Sequence, residues 1–325
     1  MRITFAHNTN KLTRRDALAR TGTLLTAAAA GASLPARAAT PAPPSEGAPF
    51  LFCLNTATIR GQKLGIVKEV EVASKAGFQA IEPWIEAIDQ YAEGGGSLKD
   101  LRQRIADAGL TVESAIGFPE WIVDDDARRA RGLERAKHEM DLVAQIGGKR
   151  IAAPPAGATR PPALDPAKAA ERYRALLELG DQMGVVPQLE VWGFSANLSR
   201  LSQCMLVAMD SGHPKACVVA DVFHLFKGGS PFEGLKLASA IALQVFHLND
   251  YPSDPPRDKI NDGFRLFPGD GSAPITQILR DLRSSGGQTV LSLELLNRKY
   301  WEQDALETAK AGLAKMKAAV QKAVA

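Results

Sequence analysis

Short apolar runs alternate with longer amphipathic stretches along most of this chain. From Phe50 onward there are eight runs of about four to six mostly apolar residues, each bounded by turn residues or by a helical pattern. Such runs predict strands that are buried on both faces, as in a parallel sheet. The stretches between them carry apolar residues on one helical face, and several end at a glycine such as Gly77 or Gly184. Eight strand–helix units predict one domain of the α/β class, a (β/α)8 TIM barrel.

Charged side chains stand at the ends of several of these apolar runs. Strands buried on both faces have no reason to end in a charge unless that end opens on a site. The residues in question are Glu82, Glu190, Asp221, His247 and Glu294. In such barrels the chemistry lies at the carboxyl ends of the strands, where all five side chains fall. Carboxylates with one imidazole suit a hard to borderline divalent ion, and the alternative for the glutamates is a buried ion pair with arginine.

Some predicted elements have bounds that a structure can test. Strand three is predicted over residues 111–116, a helix over residues 231–239, the closing helix over residues 303–323, and His224 in a loop. The loop over residues 249–267 is long for a barrel, and loops beyond about 12–15 residues are usually functional or disordered. We expect it to cover the site, with Arg265 facing inward and residues 252–256 facing solvent.

The composition is compatible with most functions but argues against nucleic-acid binding. The chain has 325 residues, with 45% hydrophobic and 23% charged side chains, which is ordinary for a globular protein. Its net charge is +3, but residues 1–38 hold six of the 39 basic residues and one of the 36 acidic ones, so the remainder carries −2. Such a body exerts no general attraction on nucleic acid, and we expect no nucleic-acid partner.

The first 38 residues have the pattern of an export signal. Arg14-Arg15 precedes a weakly apolar stretch rich in alanine, glycine and threonine, which ends in Ala36-Arg37-Ala38. This arrangement resembles a twin-arginine signal peptide, and implies the twin-arginine export machinery as a partner and a periplasmic location. The stretch is too short and weak for a stable membrane anchor, which needs ~20 apolar residues. Residues 39–49 are predicted to be a linker and residues 50–325 the barrel.

Five motifs in order resemble those of the xylose-isomerase-like TIM barrels, in the sugar phosphate isomerase/epimerase superfamily. They are Leu189-Glu190-Val191, Ala220-Asp221-Val222-Phe223-His224, Phe246-His247-Leu248-Asn249-Asp250, Arg265-Leu266-Phe267-Pro268-Gly269-Asp270-Gly271 and Ser292-Leu293-Glu294. The match spans residues 50–322. The ordered set is specific, whereas each motif alone is weak. One departure is the segment 251–263, which separates the metal-binding histidine of the family from the arginine that follows it.

The resemblance implies roles for individual residues. One divalent metal ion, commonly manganese, magnesium, cobalt or zinc, would be held by Glu190, Asp221, His247 and Glu294. His224 and Arg265 would contact the substrate, and Glu82 would face the pocket. Independently of the family, Trp84 and Trp192 follow strand ends, where aromatic rings over a polar cleft fit stacking on sugar C–H faces. The alternatives are loop packing for the aromatic rings and a surface ion pair of Arg265 with Asp262 or Asp270.

The leading functional hypothesis is a metal-dependent isomerase or epimerase of a ketose-like sugar. Glu190 and Glu294 would remove and return a proton through an enediolate, with His224 as a further catalytic group. The alternative is a metal-dependent lyase or dehydratase on a cyclic hydroxyketone or keto-glycoside, with His224 or Asp250 as the acid. A third class is a non-catalytic periplasmic protein that binds a sugar or a metal. A small carbohydrate is the expected partner, and the sequence leaves a homo-oligomer open.

Overall fold

The eight predicted strands form one parallel sheet in the computed structural model, which describes residues 48–325. The strands are β1 (Phe50–Asn55), β2 (Ala80–Glu82), β3 (Thr111–Val112), β4 (Arg150–Ala153), β5 (Val186–Glu190), β6 (Val218–Asp221), β7 (Val245–His247) and β8 (Thr289–Leu293). Their order is β3–β2–β1–β8–β7–β6–β5–β4. The circle closes where the backbone N–H of Ala152 in β4 donates to the carbonyl oxygen of Ala115 at 2.9 Å. The predicted (β/α)8 TIM barrel is confirmed.

Helices surround the sheet and begin and end where the local sequence favours it. They are α1 (Ile66–Ala76), α2 (Ile85–Glu93), α3 (Leu98–Asp107), α4 (Asp126–Gln145), α5 (Pro166–Met183), α6 (Leu201–Asp210), α7 (Val222–Gly228), α8 (Ile275–Ser284), α9 (Arg298–Trp301) and α10 (Ala305–Val324). The side chains of Ser97 and Asp125 accept backbone N–H groups at the starts of α3 and α4. Gly77 and Gly184 end α1 and α5 in the left-handed conformation, which glycine adopts without strain.

Side chains alternate along each strand between the barrel interior and the surrounding helices. An interior cluster of mostly small or β-branched residues fills the barrel, including Cys53 of β1, Ala80 of β2, Val219 of β6 and Val245 of β7. Two residues further along, the same inward alternation reaches Asn55, Glu82, Asp221 and His247. The polar site is therefore the top layer of the barrel interior, directly above an apolar layer.

Several predicted elements differ from the structure. Strand three pairs only over Thr111–Val112, because Pro83, directly after the neighbouring strand β2, has no N–H to continue the ladder. Beyond it, Ile116 donates its N–H to the carbonyl oxygen of Pro83 at 3.0 Å. The helix expected over residues 231–239 is a 3-10 turn, Phe232–Leu237, which contains Gly234.

Three short helices were not predicted. His224 lies in α7 and not in a loop, because Asp221 ends β6 and also accepts the backbone N–H of His224 at 2.7 Å. The α2 helix follows Trp84 directly, and α9 precedes the closing helix. The closing helix itself begins at Ala305 and not near residue 303, because Asp304 accepts the N–H groups of its first turn.

The predicted signal peptide and residues 39–47 of the linker lie outside the described residues. Within residues 48–325, no helix is both long enough and apolar enough to cross a membrane.

Candidate functional site

Three of the four predicted metal ligands converge at the carboxyl ends of the strands. Asp221, His247 and Glu294 each offer a ligand atom, and these atoms all lie within 4.8 Å of one another. Glu190 does not belong to this group of three, but its side chain lines the same pocket as that of Glu294. All four residues are buried. The structure thus brings the four side chains to one end of the barrel, on four consecutive strands or immediately after them.

His247 is oriented by the carboxylate of Glu82. Its Nε2 atom lies 3.1 Å from Oε2 of Glu82, and both side chains are fully buried. Its Nδ1 atom lies 3.1 Å from Oε2 of Glu294, but in an orientation that makes no hydrogen bond. Burial lowers the pKa of His247, but the carboxylates of Glu82 and Glu294 outweigh it and raise that pKa well above the usual value. With Nε2–H donating to Glu82, Nδ1 faces the carboxylates of the cluster.

Glu82 occupies a different place from the one predicted. It was expected to bind substrate, but it does not line the pocket and lies behind His247. Its Oε2 accepts hydrogen bonds from Asn55 Nδ2 at 2.9 Å and from Ser292 Oγ at 2.6 Å. A carboxylate that orients a buried histidine in this way holds the ring in one tautomer and one direction.

Arg265 faces inward, as expected from the long loop after β7, and its side chain is only 1% exposed. Its Nη1 atom donates to Oδ2 of Asp221 at 2.7 Å and to Oε2 of Glu294 at 2.6 Å. Its Nη2 atom lies 3.0 Å from Nε2 of His224 and also contacts Asp262. The ion pair with Asp262 considered for Arg265 does form, through Nε and Nη2, but the arginine is buried and not at the surface. The positive charge of the Arg265 guanidinium group offsets the negative charge of the carboxylates of the cluster.

His224 is a neutral hydrogen-bond acceptor in this arrangement. Burial lowers its pKa, and the neighbouring guanidinium of Arg265 lowers it further. Because an arginine can only donate, the Nε2 atom of His224 accepts and the proton of the neutral ring lies on Nδ1. Its ring packs edge-on against Phe194 at a centroid distance of 5.6 Å.

The two glutamates differ in their protonation. Burial, followed by the negative charge of Glu294, raises the pKa of Glu190 to about 8. The pKa of Glu294 is lowered although burial acts against this, because His247 and Arg265 stabilise the ionised form. A pair of carboxyl groups with pKa values pushed apart in this way can serve as one acid and one base.

Aromatic rings form a continuous rim over the pocket. Ring centroids are 5.2 Å apart for Trp84 and Phe118, 5.9 Å for Phe118 and Trp192, and 5.1 Å for Trp192 and Phe194. The pocket below has a volume of about 110 Å³. Trp84 and Trp192 thus lie where the sequence suggested. Trp121 takes no part in this rim, because it is fully buried and donates its indole N–H to the carbonyl oxygen of Pro154 at 2.8 Å.

Asp250 is committed to the backbone and does not line the pocket. Its carboxylate accepts four backbone N–H groups at 2.8–3.0 Å, those of Tyr251, Gly269, Gly271 and Ala273. Its own backbone pairs with Leu266 in an antiparallel bridge. Asp250 therefore fixes both ends of the long loop and sets the position of Arg265. The role of leaving-group acid considered for Asp250 does not fit this position.

Sequence reasoning missed two polar residues of the site, Asn55 and Asn249, and considered the pair of Arg265 with Asp262 only as a surface contact. Asn55 donates to Glu82 and also to Oε1 of Glu294 at 3.2 Å. Asn249 donates to Oδ2 of Asp221 at 2.8 Å, and Asp262 holds Arg265 from the side opposite the cluster. Asn55 was detectable, because it ends an apolar strand in the same way as the acids do. Its lack of charge concealed it.

The donor set fits a divalent cation. Oε2 of Glu190 and Nδ1 of His247 are buried and have no hydrogen-bond partner within residues 48–325. The carboxylates of Asp221 and Glu294 already bind a positive group, the guanidinium of Arg265. Three carboxylates and one imidazole are ligands of the kind that hard to borderline divalent ions prefer.

Several known enzymes are similar to this chain over most of its length. Inosose isomerase of Bacillus velezensis is 25% identical over 276 residues, which cover 83% of this chain and 97% of that protein. Fructoselysine 3-epimerase of Escherichia coli O157:H7 is 25% identical over 247 residues, which cover 72% and 87%. 3-Dehydroshikimate dehydratase of Pseudomonas putida is 23% identical over 260 residues, which cover 76% of this chain and 38% of that protein.

Solved structures share the fold. The crystal structure of the IOLI protein with a binding zinc atom has a TM-score of 0.77 at 21% identity, and the match covers 84% of this chain and 98% of that one. The structure of L-ribulose 3-epimerase has a TM-score of 0.68 at 20% identity, with coverage of 84% and 95%. A family model described as xylose isomerase-like TIM barrel matches residues 70–319. This chain therefore belongs to the xylose isomerase-like TIM barrel family.

Proposed function

We propose that this chain is a metal-dependent isomerase or epimerase acting on a ketose-like sugar. The observation that carries the proposal is the pair of buried glutamates, Glu190 and Glu294, which line one pocket with oppositely shifted pKa values beside Asp221 and His247. The related inosose isomerase and fructoselysine 3-epimerase support this reaction class.

A divalent ion would be held by Glu190, Asp221, His247 and Glu294. When bound, it supplies Lewis-acid polarisation of the substrate carbonyl and its neighbouring hydroxyl. Manganese, magnesium, cobalt and zinc all suit the donor set, and the zinc atom in the IOLI protein supports an ion of this kind. Glu82 would keep the ring of His247 aimed at the cluster, since its carboxylate lies 3.1 Å from Nε2.

Glu294 is the ionised member of the pair, because its pKa is lowered, and so it is the one that can accept a proton. It would remove the proton from the carbon next to the carbonyl, which leaves an enediolate. Glu190, whose pKa is raised to about 8, would return a proton on the other face or at the neighbouring carbon. Arg265 and His224 would hold substrate oxygens. The rings of Trp84 and Trp192 would exclude water from the C–H face of the sugar.

Solvent deuterium exchange tests this proposal. The metal-loaded protein should incorporate deuterium from solvent into one carbon of an accepted ketose or keto-sugar, without net loss of water. Glu294→Gln and Glu190→Gln should each abolish exchange, whereas Glu233→Gln, a change of an exposed glutamate away from the pocket, should leave it intact. Exchange that persists in both site variants would refute the assignment of the two glutamates.

A lyase or dehydratase is the second candidate, favoured by the long segment between His247 and Arg265 and by the similarity to 3-dehydroshikimate dehydratase. The same enolate would then expel a β-hydroxyl or β-glycosyl group; of the two groups considered as the acid, His224 lines the pocket and Asp250 does not. Loss of water or of an aglycone in the deuterium experiment would select this reaction. Tight sugar binding with neither exchange nor loss would select a binding protein.

A further inference from the structure

A second and larger cavity adjoins the pocket of the metal cluster. Its volume is about 470 Å³, against about 110 Å³ for the cluster pocket, and Trp84 lines both. Its walls come from the segment after β1, the start of α1 and the start of α2, which lie at the carboxyl ends of the strands. Its charged and amide side chains are those of Arg60, Lys63, Glu69, Glu86 and Gln90.

Glu69 in this cavity lacks a partner. The residue is only 5% exposed, and its Oε2 atom has no hydrogen-bond partner within residues 48–325. Burial raises the pKa of this carboxyl to about 7, and the positive charge of Arg60 offsets this only in part. A buried polar atom without a partner costs stability. A group that donates a hydrogen bond to Glu69 would remove that cost.

Donors and acceptors both line this cavity. The guanidinium of Arg60 lies 4.3 Å from the centre of the Trp84 ring and 2.7 Å from Oε2 of Glu86. Arg60 and Glu86 are both substantially exposed, so their ion pair is weak and easily rearranged. Lys63 is exposed at the mouth of the cavity. Acidic and basic side chains therefore surround one indole ring.

Trp84, which lines both cavities, is held in place by hydrogen bonds and packing. The indole N–H of Trp84 donates to Oδ1 of Asn55 at 3.0 Å, and its backbone N–H donates to Oγ1 of Thr56 at 3.3 Å. The ring also packs edge-on against Phe118. Because the ring is fixed, it presents a constant apolar surface of the kind that sugar C–H faces contact.

The mixture of carboxylates, cations and an indole ring in this cavity favours one class of ligand. The carboxylates that line the cavity would repel a phosphate group, and its cationic side chains would repel an amine. A sugar hydroxyl both donates and accepts, and a sugar ring has an apolar face for the indole. We propose that this cavity is a subsite for the second, hydroxyl-bearing ring of a glycoside whose ketose-like ring occupies the cluster pocket. The placement of the first ring rests on the proposed function.

Calorimetric titration of the full metal-loaded chain with unreactive sugars tests the subsite. The probes are cellobiose, maltose, lactose and trehalose, each compared with glucose and galactose. At least one disaccharide should bind about tenfold more tightly than either monosaccharide, a difference of about 1.4 kcal/mol. Equal affinities for one and two rings, or binding of inorganic phosphate but of no disaccharide, would overturn the proposal.

Amino-acid substitutions test whether a disaccharide binds in this cavity. Ala87→Trp adds a large side chain at a partly exposed cavity position of α2 and should abolish the disaccharide advantage. Ala92→Trp places the same side chain on the same helix but outside the cavity, and should keep the advantage. Lys63→Ala, at an exposed position with little effect on folding, should reduce disaccharide affinity about threefold to tenfold. An advantage that survives Ala87→Trp in folded protein would refute the assignment.

Failure of this inference can be separated from failure of the proposed function. If deuterium exchange occurs but disaccharides bind no better than monosaccharides, the isomerase or epimerase proposal stands and the subsite falls. If disaccharides bind through the cavity but no sugar exchanges deuterium, the subsite stands and the proposed chemistry falls.

Discussion

We predict that Asp250→Asn weakens the clamp that Asp250 forms by accepting four backbone N–H groups at the two ends of the long loop. The carboxylate accepts two backbone N–H groups with each oxygen. In asparagine one oxygen becomes an NH2 group, which cannot accept and which faces two donors. Two hydrogen bonds to a charged group are then lost, each contributing about 1.5–3 kcal/mol. The expected decrease in the free energy of unfolding is about 3–6 kcal/mol, a large part of a typical total of ~5–15 kcal/mol.

Urea unfolding followed by circular dichroism measures this decrease. The control is Asp258→Asn, an exposed carboxyl in the same loop, which should change the free energy of unfolding by less than about 0.5 kcal/mol. Because the clamp also sets the position of Arg265, kcat/KM should decrease in Asp250→Asn even where the protein is fully folded. A variant as stable as the Asp258→Asn control would refute the reasoning that the four hydrogen bonds hold the loop.

Three further predictions concern other parts of the chain. The pKa of Glu69 is about 7 instead of 4.5, so the folded chain keeps a proton that the unfolded chain releases. This contribution is complete below pH 4.5 and decreases by about 3 kcal/mol as the pH rises through 7. Glu69→Gln should flatten this part of a pH series of urea titrations, and an unchanged slope would contradict it. Arg265→Lys cannot reproduce the planar contacts, so kcat/KM should decrease about tenfold to a thousandfold, while Arg257→Lys in the same loop should have no effect. Changing both Arg14 and Arg15 to lysine should leave precursor in the cytoplasm on cell fractionation, and unimpaired export would remove the twin-arginine assignment.

The barrel and the strand ends were predictable because they depend on periodicity. A buried strand that ends in a charge points to the mouth of a barrel, and this pattern alone indicates Glu190, Asp221, His247 and Glu294. The inward alternation also predicts depth, since residues at equivalent inward positions share a layer. The same rule applied to all strands includes Asn55, which ends β1 but carries no charge.

Other features were not predictable, because they depend on contacts between distant segments. Glu82 ends its strand like the metal-ligand candidates, but whether it faces the pocket or His247 depends on the neighbouring strand. Asp250 lies within a motif of polar residues, and only the return of the loop through Gly269 and Gly271 shows that it binds backbone. The short α7 helix begins because Asp221 accepts a backbone N–H, a local effect that is too small for a pattern of apolar residues to reveal.

The weak closure of the sheet has a consequence for motion. Between β3 and β4 one backbone hydrogen bond, from Ala152 to Ala115, closes the circle, whereas β5 to β8 pair through continuous ladders. Local opening is easiest where few hydrogen bonds must break, so amide hydrogen exchange should be faster along this seam than along β6 and β7. Asp221 and His247 are paired in register on the opposite, firmly bonded arc. The barrel can therefore fluctuate at its seam while the geometry of the cluster remains unchanged.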